Sequence, residues 1–171
     1  MFKKILFFIL ISLFFNNLSY GILGSSNKSV SDSNDTTDEP KGPKKSSNYK
    51  KAQNSIKKAK KLESKGKIEK AKLKYEKALK FLYQSNADMA LQENTLKDMG
   101  FVNEKLGNYE NAEIYYLLGL ELNPGHKTIN KLLGQLYIDL NEIKKAKERL
   151  KVLENCKCTE FVELNNAIKS K

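Results

Sequence analysis

The feature of this sequence that most restricts its fold is a set of residues that recurs at a fixed distance along the chain. Two copies lie 34 residues apart at every matched position between residues 96 and 153. A weaker copy precedes them at an offset of 41 residues, and its seven extra residues predict a longer connection near Ser85 to Leu91. Such a period is typical of proteins that stack similar units side by side. The matched residues include Leu96, Met99, Gly100, Gly107, Ala112 and Tyr116 in the middle copy, Asn130, Leu133, Gly134, Asn141, Ala146 and Leu150 in the last, and Ala59, Gly66, Ala71 and Tyr75 in the first.

Each unit carries the signals of two helices joined by a tight turn. Small residues such as Gly100 and Ala112 recur where two helices would pack closely. Gly66 and Gly107 stand where a helix should end and a turn begin. Pro124 ends the second helix of the middle unit. No alternating segment of strand type follows residue 48, so the sequence predicts an all-α fold.

The spacing of Leu, Met-Gly, Tyr and Pro in the middle unit resembles the tetratricopeptide repeat (TPR) family. The resemblance implies a right-handed superhelical stack of about three helix pairs, at residues 52–85, 93–126 and 127–160, within a domain of residues 49–171. A capping helix at residues 160–169 would cover the last pair. The residues expected to form its buried face are Phe161, Leu164 and Ile168.

The resemblance also implies a concave groove, lined by the first helix of each repeat, that binds extended or helical peptide segments. We expect Phe101 to be an exposed aromatic in that groove, unless the extra residues near Ser85 to Leu91 cover it. Some family members clamp a carboxylate with Lys and Asn four residues apart. This sequence lacks that combination. The groove positions are Gln53, Ile56, Lys60 and Glu63, then Asn94, Lys97, Phe101, Glu104 and Lys105, then Thr128, Lys131, Gln135, Ile138 and Asp139.

The N-terminal residues predict export. Lys3 and Lys4 precede an apolar run and a short polar stretch ending at Gly21, which is typical of a signal peptide at residues 1–21. An uncleaved membrane anchor is the alternative. Residues 22–48 are polar and predict a disordered tether. We therefore expect an exported protein, periplasmic or associated with the cell envelope if bacterial, and secreted otherwise.

Positive charge is concentrated at the start of the predicted domain. Between Lys41 and Lys80 there are sixteen lysines and three acidic residues, whereas the rest of the chain is nearly balanced. This region fits an anionic partner such as a membrane surface or an acidic polymer, or is a solvated face. Nucleic acid is disfavoured because arginines and interleaved aromatics are lacking. The basic surface comprises Lys57, Lys58, Lys60 and Lys61.

Little in the sequence indicates catalysis. His126 is the only histidine, and its place after Pro124-Gly125 indicates an exposed loop residue rather than a catalytic one. Cys156 and Cys158 are either ordinary thiols or a local disulfide, or alternatively a redox or soft-metal site. We therefore predict no cofactor, no metal and no enzymatic activity. The predicted function is an adaptor or scaffold that binds exported or envelope proteins, and the alternative is an exported protein that binds an anionic or membrane surface.

Overall fold

The computed structural model describes residues 46–171, which fold into seven α-helices with no strand in that range. The predicted signal peptide and the predicted tether up to residue 45 lie outside the described residues. None of the seven helices is both long and apolar enough to cross a membrane. The helices are α1 (Ser47–Glu63), α2 (Ile68–Asp88), α3 (Glu93–Lys105), α4 (Tyr109–Leu122), α5 (Lys127–Asp139), α6 (Ile143–Leu153) and α7 (Thr159–Lys169).

The helices pack as three successive pairs, α1 with α2, α3 with α4, and α5 with α6. Between pairs, α2 packs on α3 and α4 packs on α5. The last helix, α7, packs on α5 and α6 and covers the end of the stack. This arrangement confirms the predicted all-α stack with a C-terminal cap.

The turn inside each pair has the same hydrogen bonds in all three repeats. Gly66, Gly107 and Asn141 occupy the equivalent position, with φ of 69°, 80° and 61°. The backbone N–H of the following residue donates to a carbonyl five residues earlier, at 3.0, 2.9 and 2.7 Å respectively. This is the Schellman motif, which requires the left-handed conformation that glycine and asparagine tolerate best.

Small residues allow the two helices of a repeat to approach closely. A Cβ atom added to Gly100 of α3 would lie 2.4 Å from Cε1 of Tyr116 on α4, and Tyr116 is completely buried. A Cβ atom at Gly134 of α5 would lie 2.6 Å from a methyl carbon of Leu164 on α7. Leu164 is buried, and Phe161 and Ile168 are half-buried against the same core, as expected for the cap.

The expectation of a longer connection near Ser85 to Leu91 is wrong. The extra seven residues instead extend α2, which has 21 residues against 14 in α4 and 11 in α6. The buried stripe of α2 continues through Leu82 and Ser85, so the added turns are packed against the protein. At the end of the extension, Asp88 Oδ2 accepts hydrogen bonds from Ser46 Oγ at 3.1 Å and Asn48 Nδ2 at 3.0 Å. The carboxylate therefore lies at the N-terminus of α1, where the helix dipole favours negative charge.

Candidate functional site

The predicted groove residues of α1 and α3 lie in direct contact. Glu63 Oε1 of α1 accepts a hydrogen bond from Lys105 Nζ of α3 at 2.8 Å. Lys60 Nζ lies 4.3 Å from the ring centroid of Phe101, close enough for a cation–π interaction. Residues predicted from two separate repeats therefore form one continuous surface, which we call the concave surface.

Phe101 is half-buried rather than fully exposed. Its ring packs edge-on against Tyr75 of α2, with 6.0 Å between centroids, and Lys60 and Lys105 lie over it at 4.3 and 5.8 Å. The expectation of an exposed aromatic is therefore only partly met. The covering groups come from α1, α2 and α3 themselves, not from the segment Ser85 to Leu91.

Two of the three repeats share a half-buried tyrosine–glutamate pair that the sequence reasoning missed. The hydroxyl of Tyr75 donates to Glu63 at 2.8 Å, and the hydroxyl of Tyr116 donates to Glu104 at 2.9 Å. Both pairs are separated by 12 residues, a regularity that is visible in the sequence.

Ile138 does not line the groove, contrary to the prediction. In the third repeat the positions of the tyrosine and glutamate hold Leu150 and Ile138. Ile138 is 1% exposed and belongs to the core cluster that Leu150 also contacts. An apolar contact has replaced the hydrogen-bonded pair. Ile56 of α1, with 6% exposure, is likewise a core residue.

Apart from Ile138, the predicted groove residues of α5 are half-buried or exposed, and the capping helix contacts two of them. Lys131 Nζ donates to Glu163 of α7 at 2.9 Å, and Thr128 Oγ1 lies 3.3 Å from Glu160 of the same helix. Gln135 donates to Asp139 at 3.4 Å. The acidic residues of α7 were not predicted at this site. On α3, Asn94 accepts a hydrogen bond from Lys97 at 3.4 Å.

A buried carboxylate, Asp98, links α3 to α1 and contacts the predicted groove residues Gln53 and Lys97. Its Oδ2 accepts hydrogen bonds from the Tyr49 hydroxyl at 2.9 Å and from Gln53 Nε2, while Lys97 Nζ lies 3.5 Å from Oδ1. Asp98 was not predicted as a site residue. Its position between the core residues Leu96 and Met99 is the signal that could have found it.

The carboxylates near the concave surface differ in their acidity. The hydrogen bond from Lys105 holds the pKa of Glu63 below its ordinary value. Burial raises the pKa of Glu104, and the hydrogen bond from Tyr116 opposes that effect only in part. Burial likewise raises the pKa of Asp98 despite the nearby ammonium of Lys97. The surface therefore combines charged and weakly acidic carboxylates.

The lysines of the first repeat form no ion pair with acidic side chains of residues 46–171. The lysines that form these ion pairs are Lys97, Lys105, Lys131 and Lys145, and none of the thirteen lysines from Lys50 to Lys80 is among them. The four residues of the predicted basic surface, Lys57, Lys58, Lys60 and Lys61, are all exposed.

His126 and the two cysteines have local structural roles. His126 Nδ1 accepts the backbone N–H of Ile129 at 3.3 Å and so caps α5, which is more specific than the predicted exposed loop residue. Cys156 and Cys158 form a disulfide in the turn between α6 and α7. Within residues 46–171 no cluster of three His, Cys, Asp or Glu residues is suited to hold a metal ion.

Comparison with known proteins agrees with this architecture. Residues 98–126 match the tetratricopeptide repeat family. The second TPR domain of human RPAP3, in complex with an HSP70 peptide, is 18% identical with a TM-score of 0.53, covering 72% of this chain and 99% of that domain. No curated protein sequence matches the chain.

Two further solved structures are similar. The Sgt2 TPR domain from Aspergillus fumigatus is 20% identical with a TM-score of 0.52, covering 66% of this chain and 78% of that one. A tetratricopeptide repeat protein from Parabacteroides merdae is 18% identical with a TM-score of 0.52, covering 70% of this chain and 59% of that one. Sequence identities this low show that the fold is shared and do not show a shared function. The described part of the chain is therefore an all-α stack of tetratricopeptide-type helix pairs.

Proposed function

We propose that this protein is a non-enzymatic adaptor that binds a peptide segment of a partner protein on its concave surface. The observation that carries the proposal is the contact of predicted groove residues across repeats, Lys60 over Phe101 and Glu63 with Lys105. The fold it shares with the RPAP3 domain, which is in complex with an HSP70 peptide, supports the same use of the surface.

The charges of the concave surface narrow the chemistry of the peptide. Lys105 and Lys131 already pair with Glu63 and Glu163, and Lys97 lies beside Asp98. A lone terminal carboxylate would have to compete with each of these partners. A segment with an apolar side chain to pack on Phe101, flanked by both acidic and basic residues, could exchange ion pairs without leaving a charge unpaired. We propose such a mixed-charge segment as the ligand.

The proposed location rests on the first 21 residues. We propose that the protein acts outside the cytoplasm or in the cell envelope, with partners that are themselves exported or envelope proteins. The intact mass of the protein purified from its native source tests this. Loss of about the first 21 residues supports cleavage after export, whereas a chain that still begins at Met1 indicates the uncleaved membrane anchor instead. Recovery of the protein from the cytoplasmic fraction alone would contradict the proposed location.

Selection of binding peptides tests the groove. Peptides from a random displayed library, selected on the full chain, should shift the amide resonances of α1, α3 and α5. Lys105→Gln should weaken the selected peptides because it removes a charge at the centre of the surface. Lys127→Gln is the matched control, since Lys127 is exposed and makes no ion pair within residues 46–171. Equal effects of the two changes, or shifts confined to α2, α4 and α6, would contradict the proposal.

A further inference from the structure

The N-terminal end of the described stack carries lysines from two helices around one aromatic ring. Lys51 Nζ of α1 and Lys77 Nζ of α2 lie 5.7 and 5.8 Å from the ring centroid of Phe81. The side chains of α1 and α2 therefore meet at this ring. Within residues 46–171, no other helix packs on this side of the pair, whereas α7 covers the opposite end of the stack.

Helical spacing brings further lysines to the same side. Lys58 lies seven residues after Lys51, two turns along one face of α1. On α2, successive intervals of four, three and four residues separate Lys70, Lys74, Lys77 and Phe81. These four residues therefore lie along one face of the helix. We call Lys51, Lys58, Lys70, Lys74 and Lys77, together with Phe81, the end surface.

The acidic residues of the first repeat are fewer than its lysines and lie outside the lysine row. Glu63 is engaged by Lys105 on the concave surface. Glu69 and Glu76 lie about a quarter turn or more away from the row of Lys70, Lys74 and Lys77 on α2. Glu76 nevertheless lines the same surface depression as Lys77 and Phe81. The end surface is therefore cationic in net charge, its five lysines being compensated only in part by Glu76, while residues 89–171 contain equal numbers of basic and acidic residues.

Apolar groups accompany these charges. Leu73 is 63% exposed, and together with Lys77 and Phe81 it lines a surface depression of about 380 Å³. A surface that combines flexible ammonium groups with an exposed leucine and a half-buried ring fits the boundary between lipid headgroups and acyl chains. The lysines pair with phosphates while the apolar side chains enter the interface.

We propose that the end surface docks on an anionic lipid membrane. Charge complementarity favours lipid over a folded acidic protein, because protein interfaces are enriched in arginine and depleted in lysine. All thirteen basic residues from Lys50 to Lys80 are lysines, and the only arginine in the chain is Arg149. Lysine is a hydrated point charge that suits a diffuse layer of headgroups better than a defined bidentate partner.

Vesicle sedimentation with the full chain tests the proposal. Vesicles of phosphatidylcholine with about one third phosphatidylglycerol are compared with phosphatidylcholine alone at low salt. Each lysine near an anionic surface strengthens binding about fivefold, so Lys58→Gln, Lys70→Gln and Lys74→Gln together should weaken it about 100-fold. Raising the salt concentration should reduce wild-type binding strongly.

The matched control changes three exposed lysines near the other end of the stack: Lys127→Gln, Lys144→Gln and Lys147→Gln. It removes the same net charge and should change vesicle binding by less than about threefold, since these residues are distant from the end surface. Leu73→Ser should weaken binding a few fold, while Val162→Ser, a change at a residue 55% exposed on α7, should not.

Three results would overturn the proposal. Equal losses in both triple variants would show that net charge alone matters. Equal binding to neutral and anionic vesicles would show that the lysines do not recognise anionic lipid and serve only as the polar outer face of the terminal repeat. Displacement from vesicles by polyglutamate or single-stranded DNA at lower charge concentration would identify a soluble polymer instead. The end surface and the concave surface have no residue in common. Peptide binding should therefore be unchanged in the Lys58, Lys70 and Lys74 triple variant, and each proposal can fail without the other.

Discussion

Replacement of Gly100 by leucine tests the packing on which the repeat depends. Gly100 faces Tyr116 across the α3–α4 contact, and even a Cβ atom would lie 2.4 to 3.0 Å from three atoms of its ring. The ring cannot move away easily, because Tyr116 is completely buried and its hydroxyl is bonded to Glu104. A leucine adds three more carbon atoms to the same space.

Two effects set the size of the change. Overpacking of this kind costs about 1–3 kcal/mol, and the number of added atoms places Gly100→Leu near about 3 kcal/mol. Removing a glycine from a helix interior returns about 1 kcal/mol. The free energy of unfolding should therefore fall by about 2 kcal/mol, which lowers Tm by about 8 °C for a domain of this size.

Thermal denaturation followed by circular dichroism measures the effect, with Gly125→Ala as the control. Gly125 lies in the turn before α5, where an added Cβ atom meets only one atom at an ordinary 3.8 Å. This control should leave Tm within about 2 °C of the wild type. A Gly100→Leu protein as stable as the wild type would refute the packing argument. In that case α3 and α4 could not be in the close contact that the structure shows at Gly100 and Tyr116.

Four further predictions address the concave surface and the core beside it. Phe101→Ala should lower the free energy of unfolding by about 2 kcal/mol because the ring is half-buried. It should also abolish binding of the selected peptides. A melting temperature equal to that of the wild type would contradict the described packing of the Phe101 ring. Because burial raises the pKa of Asp98, the stability of the wild type relative to Asp98→Asn should increase as pH falls from 7 toward the ordinary value of 3.8. The pKa of Glu63 is lowered, so the wild type should instead lose stability relative to Glu63→Gln as pH falls below the ordinary value of 4.5; thermal melts across this range show whether the two trends are opposite. Ile138→Glu should destabilise the third repeat strongly. Adding Leu150→Tyr should recover at least about 1 kcal/mol of the free energy of unfolding in a double-mutant cycle. Additive losses would contradict the proposed equivalence with the tyrosine–glutamate pairs.

The turns and close helix contacts were predictable because they depend on backbone geometry. Glycine accepts the left-handed conformation more readily than any other residue, so Gly66 and Gly107 identified the ends of helices directly. Gly100 likewise indicated a close approach, and the structure supplies Tyr116 as its neighbour. These signals are local, and each depends on one residue type with few alternatives.

Predictions that carried a position from one repeat to the next were less secure. Ile138 was assigned to the groove because its equivalents are Glu63 and Glu104, but an apolar side chain at that position is more stable in the core. The extension of α2 was missed because an offset of seven residues does not say whether the residues continue a helix or form a loop. The spacing of Ala78, Leu82 and Ser85 along one helical face contained that information.

The seven added residues of α2 also have a rotational consequence. Seven residues turn an α-helix through about 700°, only about 20° short of two full rotations. The chain therefore leaves the extended helix pointing almost as it would without the insertion, about 10 Å further along the axis. An insertion of five residues would instead turn the exit by about 140° and aim α3 away from the stack. Length changes in this repeat should accordingly be tolerated in multiples of seven, as they are in a coiled coil. The longer α1, with 17 residues against 13 in α3 and in α5, is extended as well, although by fewer residues than α2.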